Sequence, residues 1–396
     1  MKRLDDIEVD GRRVFVRVDF NVPIKDGQIT DDTRIRAALP TIENLRRGGA
    51  KVILASHLGR PKGGPDPAFS LRPVAERLGE LLGTKVAFAT DVVGPSARAE
   101  AEKLEPGEVL LLENLRFEEG ETKNDDAFAA ALGGLADVYV DDAFGSAHRA
   151  HASTEGITHH VADAAAGLLL EREVTQLKAI LADPARPLVA VLGGAKVTDK
   201  IAVTRRFLEL ADTVLIGGAM CFPFFKVQGH GVGASMCEEE GLEPAREALE
   251  LAGSSHAALR LPLDLGIAER MDADAPRRDI DDVEVPDGWM GLDIGPRTAA
   301  AYAEEIDKAG TIFWNGPMGV FELDAFAAGT RTVAEAVAAA SGTSVVGGGD
   351  SVAALTKLGL EGSVSHLSTG GGATLELIEG RALPGVEALE RAAERR

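Results

Sequence analysis

The chain alternates two kinds of segment almost from end to end, and that alternation limits its fold more than any other feature. Short apolar runs with little inside–outside alternation are each followed by an amphipathic stretch of helical period. In the first half the apolar runs are Arg13 to Phe20, Ala50 to Ser56, Lys85 to Thr90, Glu108 to Asn114 and Ala136 to Ala143. Helical patterns such as Ser70 to Gly83 and Asp126 to Ala136 lie between them. A strand that is apolar on both faces must be covered on both, and strand–helix alternation at this spacing builds a parallel sheet flanked by helices. The second half repeats the plan as strand-then-glycine units at Pro187 to Gly194, Asp212 to Gly218, Gly310 to Pro317 and Thr343 to Gly349. At 396 residues the chain exceeds what one hydrophobic core usually serves, so two α/β domains are expected. Leu168 to Pro187 reads as a long connecting helix, and the Asp-rich stretch Leu259 to Pro296 as a sheet-edge insertion.

Charge narrows the function. The chain holds 42 Lys and Arg against 63 Asp and Glu, a net charge of −21, which argues against nucleic-acid or membrane-surface binding. No run of apolar residues is long enough to span a bilayer, and the start MKRLDDIEVD lacks the apolar core of a secretory signal, so a cytoplasmic location is expected. Cys221 and Cys237 form neither a CxxC pair nor a zinc pattern. Acidity does not exclude a small anionic ligand. Residues Met1 to Ser70 carry 13 basic side chains against 10 acidic ones, counter to the rest of the chain.

In open α/β sheets, ligands bind beyond the carboxyl ends of the strands. There the first half places Asp19 and Asn21, then Arg34 and Arg36, then His57 and Arg60, then Arg116, then His148, Arg149 and His151. Taken singly these read as solvated charges. Arg34, Arg60, Arg116 and Arg149, all following strand ends of one sheet, read as a rim for a small polyanion, because guanidinium forks match carboxylate and phosphate oxygens. His159 and His160 read as a solvated pair.

The second half carries another set. GGAKVTDK opens a helix after a strand, with Lys196 and Lys200 four apart on one expected helical face. GGGDS and STGGGATLE are two further glycine-rich strand-to-helix turns, and such turns let backbone amides and helix N-termini approach phosphates. No Walker A pattern is present. Asp350 at a helix start suits either an N-cap or a carboxylate for Mg²⁺ on a nucleotide. FWNGPMGVFE adds an apolar wall ending in Glu322. One half thus offers arginines to a polyanion and the other glycine turns, lysines and an Asp to a Mg–nucleotide, which together describe phosphoryl transfer. A nicotinamide dehydrogenase would want GxGxxG after the first strand, where this chain has DFNVP. A catalytically silent nucleotide-binding regulator would be expected to lack some of Arg34, Lys196 or Asp350.

RVDFNVP, SHLGRP, DAFGSAHRAHAS, GGAKVTDK, FWNGPMGVFE, GGGDS and STGGGA occur in that order, and with them the chain resembles the phosphoglycerate kinase family over essentially its whole length. The resemblance implies two Rossmann-like three-layer domains with parallel sheets joined by a helical hinge: residues 1–170 with 383–396, a hinge at 171–186, and 187–382. It implies reversible phosphoryl transfer between 1,3-bisphosphoglycerate and ADP, giving 3-phosphoglycerate and ATP, in a protein that is usually a monomer. By motif match, Asp19, Phe20, Asn21, Arg34, His57, Leu58, Gly59, Arg60, Arg116 and Arg149 hold the phosphoglycerate. Lys196, Lys200, Gly217, Gly218, Glu322, Gly349, Asp350 and Ser351 hold the nucleotide, with Asp350 as the Mg²⁺ carboxylate. Arg34, Lys196 and Lys200 would stabilise the transferring group. Ala219 stands where the family commonly has glycine, Ser351 where it has threonine, and Thr374 where it has serine.

Overall fold

A computed structural model describes residues 1–62 and 64–395. The chain divides into two compact units, Met1–Thr175 with Arg381–Arg396 and Gln176–Gly380. The last residue of the expected 383–396 segment, Arg396, lies outside the described residues.

The first unit is built on β1 (Arg13–Arg17), β2 (Lys51–Ala55), β3 (Val86–Phe88), β4 (Val109–Leu111), β5 (Val138–Asp141) and β6 (Asp163–Ala166). They form one parallel sheet in the order β3-β4-β2-β1-β5-β6. β1 is central: Arg17 sits level with Ala55 on one side and Asp141 on the other. Because every strand runs the same way, the residues that follow them leave from one edge. Helix α1 (Thr33–Arg47) follows a two-residue hairpin and buries Ile35, Ala38, Ile42 and Leu45 against β1 and β2. That stripe of i, i+3, i+7 and i+10 leaves Arg34 and Arg36 off the buried face. α2 (Leu168–Ala182) leaves β6, and its first amides are capped by Thr41 Oγ1 (to Leu168 N, 2.9 Å) and Asp142 Oδ1 (to Leu169 N, 2.9 Å).

The second unit repeats the arrangement. β7 (Leu188–Leu192), β8 (Thr213–Ile216), β9 (Ala258–Arg260), β13 (Thr311–Asn315), β14 (Thr343–Gly347) and β15 (His366–Leu367) form a parallel sheet in the order β9-β8-β7-β13-β14-β15. Its core gathers Val189, Val191, Leu215, Trp314 and Val346 with Tyr302, Val333 and Leu355 from the helices. α3 (Ile201–Leu210) follows β7, α4 (Gly349–Leu358) follows β14, and α5 (Gly372–Ile378) follows β15. The stretch expected to be a sheet-edge insertion is more ordered than that. Leu265–Ala268 (β10), Arg278–Ile280 (β11) and Met290–Ile294 (β12) make a separate antiparallel sheet in the order β11-β10-β12. Arg277 holds it closed, donating to Asp293 Oδ2 (2.7 Å), Asp279 Oδ1 (2.8 Å) and Ala325 O (3.0 Å).

The chain then returns to the first unit. α6 (Pro384–Glu394) packs on β6, with Gly385 N donating to Ala147 O (2.9 Å) and Arg391 Nη2 to Glu155 Oε1 (3.0 Å).

Candidate active site

In the first unit the loop after β1 turns back on itself. Asp19 Oδ1 accepts from Asn21 N at 3.2 Å, and Phe20 N donates to Ser56 Oγ beyond β2 at 2.8 Å. Asn21 Oδ1 accepts from Gly59 N at 2.8 Å, tying the first loop to the second. Arg34 reaches Asp19 with one nitrogen 3.1 Å from both carboxylate oxygens and keeps 38% of its side chain exposed. Arg116 Nη1 donates to Gly59 O at 2.5 Å. Arg60 and Arg149 are exposed, and neither pairs with a carboxylate among the described residues. Phe20 and Leu58 are buried, so their side chains serve the core and only their backbone borders the rim.

These cations feel one another. Burial pushes the Arg116 guanidinium below its usual value, and Arg17, Arg149 and Arg60 push the same way. Burial and then Arg17, Arg116, Arg34 and His151 hold His57 well below the ordinary imidazole value. The same burial, with Arg17, Arg116, Arg149 and His148, takes His151 down to about 4. Both imidazoles are therefore neutral at physiological pH, and the positive charge belongs to the arginines. Five guanidiniums with few local carboxylates concentrate positive charge at this rim.

The motif reading singled out neither Arg17 nor Glu121. Arg17 is 1% exposed, and Glu121 is fully buried. Arg17 Nε donates to Ser153 Oγ at 2.8 Å, and Ser153 Oγ donates to Glu121 Oε1 at 2.6 Å. Arg17 was legible only as an interior residue of the apolar run Arg13 to Phe20. Glu121, in a short helix of charged sequence, carried no signal at all.

The second unit presents a different surface, a cleft of about 520 Å³. Its walls include Ala219, Cys221, Phe222, Met290, Leu292 and Met318. Glu322 and Asp350 are carboxylates on its border, both exposed. The small antiparallel sheet supplies part of the wall, a role the sequence did not suggest.

The glycine turns act less as amide donors than as spacers. Gly193 N donates to Asn315 O, Gly194 N to Pro317 O, Gly217 N to Leu192 O and Gly218 N to Met318 O, all at 2.9–3.0 Å. These amides are spent holding the ends of β7, β8 and β13 together. A Cβ on Gly217 would drive into Met318 Sδ, and Gly218 has φ +64° with Gly194 N 2.6 Å from where its Cβ would stand. Only a hydrogen fits there. One open N-terminus that borders the cleft is that of α4. Gly348 precedes it with φ +90°, no side chain caps it, and a Cβ on Gly349 would meet nothing. The amides of its first turn have no intrahelical acceptor, and Asp350, in that turn, borders the cleft. Ser351 is buried; its Oγ accepts from Gly316 N at 2.6 Å and so braces the loop after β13.

Lys196 and Lys200 do not share a helical face. α3 starts at Ile201, so Lys196 lies in an extended loop and Lys200 ends a 3₁₀ turn. Lys196 is exposed and pairs with Glu238 Oε1 at 3.2 Å, which raises its pKa. Lys200 Nζ donates to Gly193 O at 2.5 Å and Asn315 O at 3.0 Å, beneath the turn. Burial brings it down to about 8, with Asp350 and Asp199 pulling the other way. The chain after β7 thus passes through a loop and a 3₁₀ turn before the α-helix begins at Ile201.

No group of three or more His, Cys, Asp or Glu among the described residues is placed to hold a metal ion by itself. A lone exposed Asp350 beside Lys200 and a free helix N-terminus fits a different arrangement. Mg²⁺ keeps waters and takes one or two carboxylates, with phosphates as its other ligands. No helix is long and apolar enough to cross a membrane among the described residues.

Residues 4–381 match the family model described as phosphoglycerate kinase. A protein of Moorella thermoacetica named phosphoglycerate kinase is 57% identical over 386 residues, covering 98% of each chain. One of Nicotiana tabacum, named phosphoglycerate kinase, cytosolic, is 51% identical over 393 residues and 98% of each. Among solved structures, phosphoglycerate kinase from Coxiella burnetii superposes with a TM-score of 0.90 at 42% identity, covering 99% of both chains.

Proposed function

This chain belongs to the phosphoglycerate kinase family and transfers a phosphoryl group reversibly between 1,3-bisphosphoglycerate and ADP, giving 3-phosphoglycerate and ATP, and from that premise we propose which of its residues do the work. The observation that carries the assignment is the contrast between a rim of convergent arginines in one unit and an apolar cleft with an open helix N-terminus in the other.

The arginine rim holds the phosphoglycerate. Arg60, Arg116 and Arg149 take its anionic oxygens, while Asp19 and Asn21 fix the loop that aims Arg34. His57 and the backbone of Leu58 and Gly59 border the same ligand. The cleft holds the nucleotide. Its apolar walls take the base, Glu322 the sugar hydroxyls, and the α4 N-terminus with Lys196 and Lys200 the phosphates. Gly217, Gly218 and Ser351 shape that site. Mg²⁺ is the expected cofactor: bound to the nucleotide phosphates at Asp350, it would offset their negative charge.

Either nucleophile, the β-phosphate of ADP or the carboxylate of 3-phosphoglycerate, is already ionised. No general base is needed, which agrees with two neutral histidines that have lost their basicity to burial and to neighbouring arginines. The chain's work is positioning and charge stabilisation of the transferring phosphoryl group. We assign that stabilisation to Arg34 from the first unit and Lys200 from the second. Lys200 donates to two carbonyls in the free chain and must redirect those hydrogens to phosphate oxygens.

The two sites are on different units joined through α2, so transfer requires them to meet. Closure about that connection would bring them together and exclude water from the acyl phosphate. The chain acts as a monomer in the cytosol on this reading. A coupled assay of ATP and 3-phosphoglycerate consumption tests the activity, and absence of turnover overturns it. Solution scattering tests closure: compaction is expected with both ligands together and not with either alone.

A further inference from the structure

His57 sits where three guanidiniums, Arg17, Arg116 and Arg34, crowd one imidazole, and its two nitrogens face different surroundings. A neutral imidazole has one donor nitrogen and one acceptor nitrogen, and the neighbours decide which is which. His57 Nδ1 lies 3.2 Å from Arg17 Nη2. A guanidinium has no lone pair to offer and does not deprotonate in a protein, so it can only donate. Nδ1 must then accept, and the ring's single proton must be on Nε2.

Arg17 is not free to turn away. Its Nε donates to Ser153 Oγ at 2.8 Å, its Nη1 to Val18 O, and its Nη2 also approaches Ser146 Oγ at 3.4 Å. Behind it, Glu121 takes two hydrogen bonds from Ser153, from N at 3.0 Å and from Oγ at 2.6 Å. Glu121, Ser153, Arg17 and His57 thus form one buried line that ends at the rim. The other end of the ring is open. Among the described residues His57 Nε2 has no hydrogen-bond partner, and it is not among the solvent-sealed unpartnered atoms.

We infer that buried Arg17 locks His57 as its Nε2–H tautomer and so makes His57 an uncharged, one-way hydrogen-bond donor to an anionic oxygen, carboxylate or phosphate, bound at the rim. Arg17 is a positioning residue in this account, acting through His57. The identity of the bound anion rests on the phosphoglycerate reading above; the tautomer does not. A second proton on the ring is opposed by burial and by the charged groups that face it, Arg17, Arg116 and Arg34, with His151 neutral beside them. The donor is therefore the same at all pH values near neutrality, and the site's charge is set by arginines alone.

The test begins with the free, full-length protein labelled with ¹⁵N-histidine. Two-bond ¹H–¹⁵N correlation reports each ring's tautomer, and His57 is identified by the signals missing from His57→Gln. The expected result is a pyridine-type Nδ1 and a pyrrole-type Nε2; an Nδ1–H form, an imidazolium or an averaged mixture overturns the inference. Arg17→Met alone would strand Glu121 in the interior, so the variant of choice is Arg17→Met with Glu121→Gln, which removes both charges of that line together and leaves Asp141, whose carboxyl burial already pushes up to about 6. There the His57 signals should move to averaged values, and an unchanged Nε2–H form would show that Arg17 is not the lock. Affinity supplies an independent readout. Glutamine places its amide nitrogen near the former Nε2, whereas asparagine places it near the former Nδ1. KM for 3-phosphoglycerate should rise only a few-fold in His57→Gln but about tenfold or more in His57→Asn, with KM for ATP unchanged in both. Equal losses would overturn the donor role. Should the wild-type chain show no turnover, the phosphoglycerate reading falls, and the tautomer measurement still decides this one.

Discussion

In the first unit the groups proposed to face the ligand are side chains sent out from the ends of separate strands. In the second they are mostly apolar walls and backbone, with a buried lysine beneath. The arginine rim buries cations behind and exposes them in front: Arg17 is sealed, Arg116 half-buried, Arg60 and Arg149 exposed. Its charge is permanent, because arginines carry it and the histidines are held neutral. The cleft obtains its shape from glycines whose amides are already occupied, and its positive potential from the N-terminus of α4 and from Lys200, whose charge can titrate. A small, highly charged ligand with little surface is gripped by charge at many points. A nucleotide has a large apolar base, which needs a wall, and phosphates at one end only. The difference teaches that the sheets can be alike while recognition depends on what stands at the strand ends.

The largest effect should come from the side chain that joins recognition to chemistry. Arg34→Ala is expected to lower kcat by ~10²-fold or more, the scale of losing one donor to a transition state, while Kd for the nucleotide stays unchanged. A kcat near that of the parent chain would remove Arg34 from the chemical step.

Next, the cleft should fail by shape where the rim fails by charge. Gly217→Ala forces a methyl into Met318 Sδ. Overpacking of this kind costs about 1–3 kcal/mol. Nucleotide binding by calorimetry should weaken accordingly, and 3-phosphoglycerate binding should not. Loss of both affinities together would mean that the two sites are not independent in the way described.

The two sites should also separate by pH. Lys200 has its folded pKa lowered to about 8, so it is protonated below that value and loses its charge as pH rises through it. Nucleotide affinity should fall about tenfold between roughly pH 7 and pH 9 if only the cationic form binds phosphate. The rim has no group that titrates in that window, so 3-phosphoglycerate affinity should stay flat. Lys200→Arg should remove the pH dependence of nucleotide binding. The sign for stability is opposite: burial penalises the charged lysine, so that cost is fully present below about pH 8 and disappears as pH rises toward the ordinary lysine value.

The smallest difference expected is in salt. Exposed Arg60 and Arg149 are screened by added salt, whereas a base in an apolar cleft is not. Raising NaCl from about 0.1 M to 0.5 M should weaken 3-phosphoglycerate binding a few-fold more than nucleotide binding. Equal slopes would say that phosphate charge dominates both sites.

Much of the fold was legible. β2, β7 and β13 lie inside runs that read as apolar strands, because a strand buried on both faces leaves a continuous signature. β6 was not legible, since Asp-Ala-Ala-Ala has no β-branched or aromatic residue to mark it. It is a strand only because β5 offers an open edge and α6 covers it. β15 is two residues long and carries no periodicity. The small antiparallel sheet was hidden because Arg277 and Asp293 look like surface charge until their pairing is seen.

The site divides the same way. Residue types and their order along the chain were sufficient to place arginines after one set of strands and glycines after another, because parallel topology sends all strand ends to one edge. They were sufficient for the family as well. Only the tertiary structure decided how each group behaves there. It buried Arg17 and Glu121, lowered Lys200 to about 8, put Lys196 and Lys200 in different environments, and occupied the glycine amides that sequence alone offered to phosphate. The physical reason is that desolvation and charge–charge interaction depend on three-dimensional neighbours, which the order of residues lists but does not bring together.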